Sequence, residues 1–278
     1  MKRYSCFLLV LVTVCVLAAA AAGEGFEEAD IEIEDLLQIE QDLLWTFPVK
    51  LEDMNPEYIR VVNKHYTLPE DYVPDNLVKV PKSPENGGIY WKSAPDGGHK
   101  LQEACADALC RMNADMREID GFQDMYLKSA YRSYQTQNTM YKNRLASHNG
   151  KDDGWVAKPG ASDHQTGLGC DVIPFNWTKK SGMNEKMMKE KECQWMAEHC
   201  QEYGFIIRYP LDKKEITEIN MEPWHLRYVG VPAATYIMEN GLCLEEFNDQ
   251  LQEAIQDYIA RGGDPARVEP FIQTPTNP

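Results

Sequence analysis

This 278-residue chain contains no Cys-x-x-Cys pair and no His-Glu-x-x-His. The first absence argues against a cysteine-held zinc. The second removes the helical zinc-protease signature, whose two histidines lie one turn apart on one face. Positive charge is also scarce: 28 Lys and Arg stand against 44 Asp and Glu, a net charge of −16. This argues against nucleic acid as a partner, which is held by Lys and Arg on its phosphates. The same sign disfavours adhesion to anionic lipids or wall polymers. Beyond the opening residues no run is apolar and long enough to span a bilayer, and no segment repeats at a fixed period.

What is present begins with MKRYSCFLLVLVTVCVLAAAAAGEG. Lys2 and Arg3, the apolar stretch from Phe7 to Val16 and the alanine run have the layout of a secretory signal peptide. Residues 1–22 are therefore expected to be removed, leaving a secreted, extracytoplasmic protein of about 255 residues and net charge about −18. An uncleaved anchor is the alternative reading, and the one route to a membrane. The remaining length suffices for one sizeable core with extensions. Six cysteines remain: Cys105, Cys110, Cys170, Cys193, Cys200 and Cys243. An even count in a secreted chain permits disulfides. Cys193 and Cys200, however, lie about 10 Å apart along an expected helix, too far to bridge, so buried free thiols are expected.

Residues 23–55 form an acidic extension, and Glu24 to Asp42 lacks any basic residue. Ile33, Leu36, Leu37, Leu43 and Leu44 recur at helical spacing there, so a docked amphipathic helix competes with the mobile spacer that the charge favours. Prolines punctuate the chain to Pro84, as irregular chain wrapping a domain would. Regular elements follow. Leu101, Ala104, Ala108, Leu109 and Met112 mark a helix, 125–131 a strand and 134–146 a second helix. Strands are expected at 169–173, 205–209 and 224–229. A helix carrying Cys193, Met196, Cys200 and Tyr203 should stop at Gly204, and one carrying Leu244 to Ile259 at Gly262. Interleaved helices and short strands without βαβ alternation indicate an α+β domain over 56–262, followed by a C-terminal tail, 263–278, whose last residues, IQTPTNP, read as frayed.

Three stretches concentrate reactive side chains: SAYRSYQTQ (129–137), PGASDHQTGLGCDV (159–172) and EPWHLRYVG (222–230). His164 lies in a glycine-rich loop, seven residues before Asp171 on a short apolar strand. Successive strand side chains face opposite ways, so Asp171 and Cys170 diverge, and a buried Asp171 needs a partner. His164, Asp171 and His225 make an N,N,O set suited to Zn²⁺ at about 2.0–2.2 Å, with a fourth position open. The alternative is that Asp171 pairs with a Lys or Arg while both imidazoles merely hydrogen-bond. His65, His99, His148 and His199 have no obvious partners and read as surface or packing residues.

Taken in order, the three stretches resemble the signatures of the VanY-type D-alanyl-D-alanine carboxypeptidases, zinc peptidases of the M15 family. That family shows Ser-Gly-Tyr-Arg-Ser, Ser-x-His-x-x-Gly-x-x-x-Asp and Glu-x-Trp-His. Here they stand as Ser129-Ala130-Tyr131-Arg132-Ser133, Ser162-Asp163-His164 through Gly167 to Asp171, and Glu222-Pro223-Trp224-His225. YGFIIRYP (203–210) and RYVG (227–230) fit as well, and the likeness runs from about Val61 to Leu244. Ala130 replaces a glycine, Cys170 takes a usually small or aliphatic position, and Glu218 stands where glycine is common.

The resemblance implies a single compact peptidase domain, Hedgehog/DD-peptidase-like, with a small antiparallel sheet flanked by helices. It implies zinc on His164, Asp171 and His225, Glu222 as general base and Arg132 as electrophilic helper. Ser162, Gln137 and Trp224 would line the pocket. The implied substrate is the D-Ala-D-Ala terminus of peptidoglycan stem peptides, with no stable protein partner. An L,D-carboxypeptidase, a D,D-dipeptidase and a non-catalytic wall-binding module are the alternatives. Residues three apart on a straight strand face opposite sides, so a bend at Pro223-Trp224 is expected to aim Glu222 and His225 at one centre.

Overall fold

The computed structural model describes residues 33–92, 98–180 and 182–276. The signal-peptide reading of 1–22 falls outside these residues, as does the first part of the acidic stretch. Ile33–Leu44 is a helix, α1, rather than a spacer. Gln41 accepts hydrogen bonds from the Tyr258 hydroxyl and the Asp264 amide, and Asp42 pairs with Arg267 at 2.8 Å. Polar contacts with the body thus hold a segment whose composition alone reads as mobile.

Strands β1 (Leu77–Lys79) and β2 (Lys100–Gln102) make a short antiparallel ribbon. It leads into helix α2, Glu103–Arg117. Strand β3 (Met125–Ser129) and helix α3 (Tyr134–Ser147) follow, the helix capped by the Ser133 side chain accepting from the Thr136 amide. After a long loop come β4 (Gly169–Pro174), α4 (Lys191–His199), β5 (Phe205–Tyr209), the single turn α5 (Lys214–Thr217) and β6 (Glu222–Tyr228). Helices α6 (Val231–Glu239), α7 (Leu244–Ala260) and α8 (Pro265–Val268) close the chain. The main sheet is antiparallel throughout, in the order β3-β4-β6-β5.

The sheet has two different faces because its side chains alternate. Leu127, Cys170, Val172, Leu226 and Phe205 meet Cys105, Ala108, Leu109 and Met112 of α2 in one apolar cluster. Burying each Leu, Val, Phe or Met side chain among them contributes about 1.5–3 kcal/mol. On the opposite face, Ser129, Asp171 and His225 stand side by side, because Ser129 pairs with Asp171 and Asp171 with His225.

A second core gathers Ala233, Ala234 and Ile237 of α6 with Phe247, Leu251, Ile255 and Tyr258 of α7. Phe47, Val49, Leu51 and Met54 join it from the N-terminal side, and Val268 and Phe271 from beyond Gly262. The packed body therefore extends past both expected limits, 56 and 262. The chain up to Thr276, the last described residue, is also tied down instead of frayed. Gln273 accepts from the Val61 amide at 3.0 Å, and the Thr276 amide donates to the His65 carbonyl at 2.7 Å. The six cysteines among the described residues are all free, five of them buried. Among the described residues no helix is long and apolar enough to cross a membrane.

Candidate active site

Two breaks in strand register build the site. Leu127 pairs with Val172 and Ser129 with Asp171, so Lys128 is an extra residue bulged out of β3. Such a bulge bends its strand and re-aims the side chains beyond it. Here the Ser129 hydroxyl and the Ala130 carbonyl both turn inward. On the other side, Ile207 pairs with Leu226 but Tyr209 with Glu222, which leaves three β6 residues facing Arg208 alone. The bend expected at Pro223-Trp224 is this two-residue slip, and it brings a Glu222 carboxylate oxygen to 3.7 Å from His225 Nδ1.

The third contributor is the loop ahead of β4, a single 3₁₀ turn over Asp163–Thr166. Gly167 ends it at φ 69°, the left-handed region that favours glycine. At Gly169 a Cβ would lie 2.8 Å from the Asp163 Cβ, so only glycine lets the loop press onto the strand. That contact delivers His164. Its Nδ1 is 2.8 Å from the Ala130 carbonyl, and a carbonyl only accepts, so Nδ1 carries the proton and Nε2 presents a lone pair. This Nε2 lies 3.4 Å from Asp171 Oδ2, while His225 Nδ1 lies 3.0 Å from Asp171 Oδ1. The two imidazoles meet at right angles, with ring centres 4.8 Å apart.

All eight residues singled out from sequence line one cavity of about 120 Å³: Arg132, Gln137, Ser162, His164, Asp171, Glu222, Trp224 and His225. The Arg132 guanidinium donates to Gln137 Oε1 at 2.7 Å and to Ser129 Oγ at 2.9 Å, and stands 3.9 Å from Asp171. Gln137 is itself fixed by donating to the Ala157 carbonyl. Trp224 is buried and stacks nearly parallel on Trp155 at 6.4 Å.

The electrostatics suit a cation. Burial, assisted by Arg132, lowers the His164 pKa to about 4, so the ring is neutral near pH 7. Burial works against charge on Asp171, but the adjoining imidazoles outweigh it and hold the carboxyl well below the usual range. Glu222 is pushed well up by burial and then by the Asp171 charge, with Arg132 opposing. A neutral imidazole lone pair and an ionised carboxylate are the states a metal requires of its ligands. Ligand atoms of His164, Asp171 and His225 all lie within 4.8 Å of one another. Two nitrogens and one oxygen in a buried pocket, beside a further carboxyl that is not needed as a ligand, fit zinc with an open position.

Several neighbours were not singled out from sequence. Tyr209 packs its ring 5.0 Å from that of His225 and lines the same cavity. Beneath it, Asp163 accepts from Arg208 Nε at 2.7 Å and from Arg227, and Arg208 makes a two-pronged pair with Glu245 at 2.6 and 2.8 Å. The available signal was an arginine inside the apolar strand FIIRY, since buried arginines occur paired. Glu218 adopts φ 59°, in keeping with a position where glycine is common, and its carboxylate is held by Lys64. Of the histidines set aside, His199 pairs with Glu202 at 2.7 Å, and His99 packs edge-on against Trp91.

Comparison with known proteins agrees with this geometry. Residues 98–231 match the family model for VanY, D-alanyl-D-alanine carboxypeptidase. A putative carboxypeptidase of Bacillus subtilis (strain 168), YodJ, is 36% identical over 203 residues, covering 72% of this chain and 70% of its own. Among solved structures, the LdcB LD-carboxypeptidase superposes with a TM-score of 0.61 at 36% identity, over 70% of this chain and 87% of the other. A zinc complex of the vancomycin resistance D,D-pentapeptidase VanY gives a TM-score of 0.51 at 28% identity, over 69% and 98%. The chain belongs to the VanY family of carboxypeptidases. It is a metallopeptidase, and zinc is the metal its donor set fits.

Proposed function

We propose that this protein removes the terminal D-alanine from peptidoglycan stem peptides ending in D-Ala-D-Ala, and that it works outside the cytoplasm. The opening sequence, with its basic residues, apolar core and alanine run, motivates the location. The reaction rests on one observation: two imidazoles, Asp171, Glu222 and Arg132 line one small cavity on one sheet face. Its volume, about 120 Å³, suits a residue as small as alanine.

In this reading His164, Asp171 and His225 hold the metal. Zinc there would polarise the scissile carbonyl and lower the pKa of water. Glu222 takes the proton of the attacking water and passes it to the departing amine. Arg132, locked by Gln137 and Ser129, offers fixed charge to the oxygen on which negative charge develops. Ser162 and Trp224 bound the space for the leaving residue.

A second reading is favoured by the better superposition on the LdcB LD-carboxypeptidase: trimming of the tetrapeptide. Synthetic stem pentapeptide and tetrapeptide, incubated with zinc-loaded protein with and without chelator and followed by mass, separate the two. Chelator-sensitive loss of one alanine from the pentapeptide alone is expected. Loss from the tetrapeptide alone transfers the activity to the L,D class, and cleavage of neither would leave a wall-binding module.

A further inference from the structure

His225 presents a problem in bond accounting. Its Nδ1 faces the site centre, 3.0 Å from Asp171 and 3.7 Å from Glu222. A neutral imidazole has one N–H and one lone pair. If Nδ1 gives its lone pair to a metal, the proton must sit on Nε2. Yet Nε2 is buried and has no hydrogen-bond partner. A buried N–H left unmatched is costly, and metal-binding histidines usually donate that second N–H to a carboxylate or carbonyl.

A carboxylate stands close to that atom: Asp163, whose Oδ2 lies 3.9 Å away. Asp163 is wholly buried and held from two sides, by Arg208 Nε on Oδ2 and by Arg227 on Oδ1. Each carboxylate oxygen can accept twice, so Oδ2 retains room for one more donor. Arg208 is in turn anchored to Glu245 at the start of α7. In the family pattern Asp163 falls on the unspecified position between Ser162 and His164, so no motif assigns it a role.

We infer that Asp163 is a positioning residue: it accepts the Nε2–H of His225 and thereby fixes the tautomer that turns Nδ1 toward the metal. The inference rests on the zinc reading above. The two arginines hold the carboxylate in place, and Arg227, anchored on the Tyr58 and Arg60 carbonyls, does so without help from Glu245. A shortening of roughly 1 Å would complete the hydrogen bond, within the usual N–H···O range of about 2.7–3.2 Å.

Zinc affinity is measured by chelator competition for wild type, Asp163→Asn and Glu245→Gln, with thermal unfolding of the metal-free forms. Glu245→Gln weakens the same arginine cluster but leaves Asp163 intact. Asp163→Asn should lose about 10–100-fold in affinity, as outer-shell partners of metal ligands do, while Glu245→Gln stays within about threefold. Equal losses in both variants, or none in Asp163→Asn, would overturn the inference. Should Asp163→Asn fail to fold, ¹⁵N NMR of histidine-labelled wild type decides the matter. With zinc bound, the His225 Nε2 signal should be that of a protonated nitrogen; a signal from an unprotonated or zinc-bound Nε2 refutes the assignment. A wild type that binds no zinc at all would instead sink the reading beneath it.

Discussion

Replacing Glu222 by glutamine tests the chemistry with the least disturbance to the fold. The two side chains have nearly the same shape, so the cavity they line with Trp224 and Asp171 keeps its volume. Burial and the Asp171 charge already disfavour an ionised Glu222 in the metal-free protein, so a neutral amide should not lower its stability. What the amide cannot do is accept a proton from water and return it to the leaving amine. A positioned general base contributes roughly 10²–10⁴-fold, which is about 2.7–5.4 kcal/mol at 1.36 kcal/mol per decade. The expectation is a kcat on D-Ala-D-Ala-terminated peptide lower by that factor, a KM within about threefold, zinc content unchanged and a thermal midpoint at or above wild type. Stopped assays of released D-alanine, with metal analysis on the same samples, provide the measurement. A kcat within tenfold of wild type would remove Glu222 from its role. Loss of zinc in the variant would make it a metal ligand instead.

Three further outcomes follow from the packing and charges. Arg208→Met should cost about 3–5 kcal/mol in urea unfolding, because it takes the arginine from buried Glu245 and one of two arginines from buried Asp163; a loss below about 1 kcal/mol would show the cluster to be a weak contributor. Gly169→Ala should lose about 1–3 kcal/mol, since its Cβ would sit 2.8 Å from that of Asp163, and zinc affinity should fall with it; unchanged stability would mean that the loop gives way freely. His99 is held neutral by burial, then by His164, its pKa falling to about 4 from 6.5. The unfolded chain therefore binds more protons between those values, and stability should drop as pH falls through that window, by at most about 1.4 kcal/mol per unit for one such group. Denaturant midpoints of His99→Gln, compared with wild type from pH 7 to pH 4, should show a shallower decline; an unaltered slope would exclude His99 as a source.

What could be read in the chain depended on whether the signal was local. The helix carrying Leu109 and Met112, the strand FIIRY and the closing helix from Leu244 all have short-range periodicity, and they stand where that periodicity put them. His164, Asp171 and His225 were recognisable because their neighbours, a glycine loop and a proline-tryptophan pair, are specific in type and order. The arginine cluster around Asp163 was not legible in the same way. Its four members are up to 82 residues apart, from Asp163 to Glu245, and apart from Arg208 inside FIIRY each alone looks like an ordinary surface charge. The acidic stretch misled in the opposite direction. Its charge suggested a spacer, whereas Gln41 and Asp42 use polar groups to dock the helix on residues near the C-terminus. Composition predicts solvation on average and is silent on which few side chains find partners.

The proline beside Glu222 shows how a local irregularity can be written into a sheet. Strand β6 lies between β4 and β5, an interior position where proline is normally confined to bulges because it cannot donate to the ladder. Pro223 sits in the part of β6 where pairing with β5 skips two residues, so the missing N–H removes a bond that a regular register would demand. That register is also the one chemistry cannot use. Paired straight through, Glu222 and His225 would project to opposite faces, one toward the metal site and one into the apolar layer over α2. By removing a donor from the ladder, Pro223 disfavours the regular alternative, and Trp224, packed on Trp155, fills the space the slip creates. The acid-imidazole pair is thus a consequence of a sheet prevented from being regular at one place, while β4 on the other side holds Asp171 in strict register with His225.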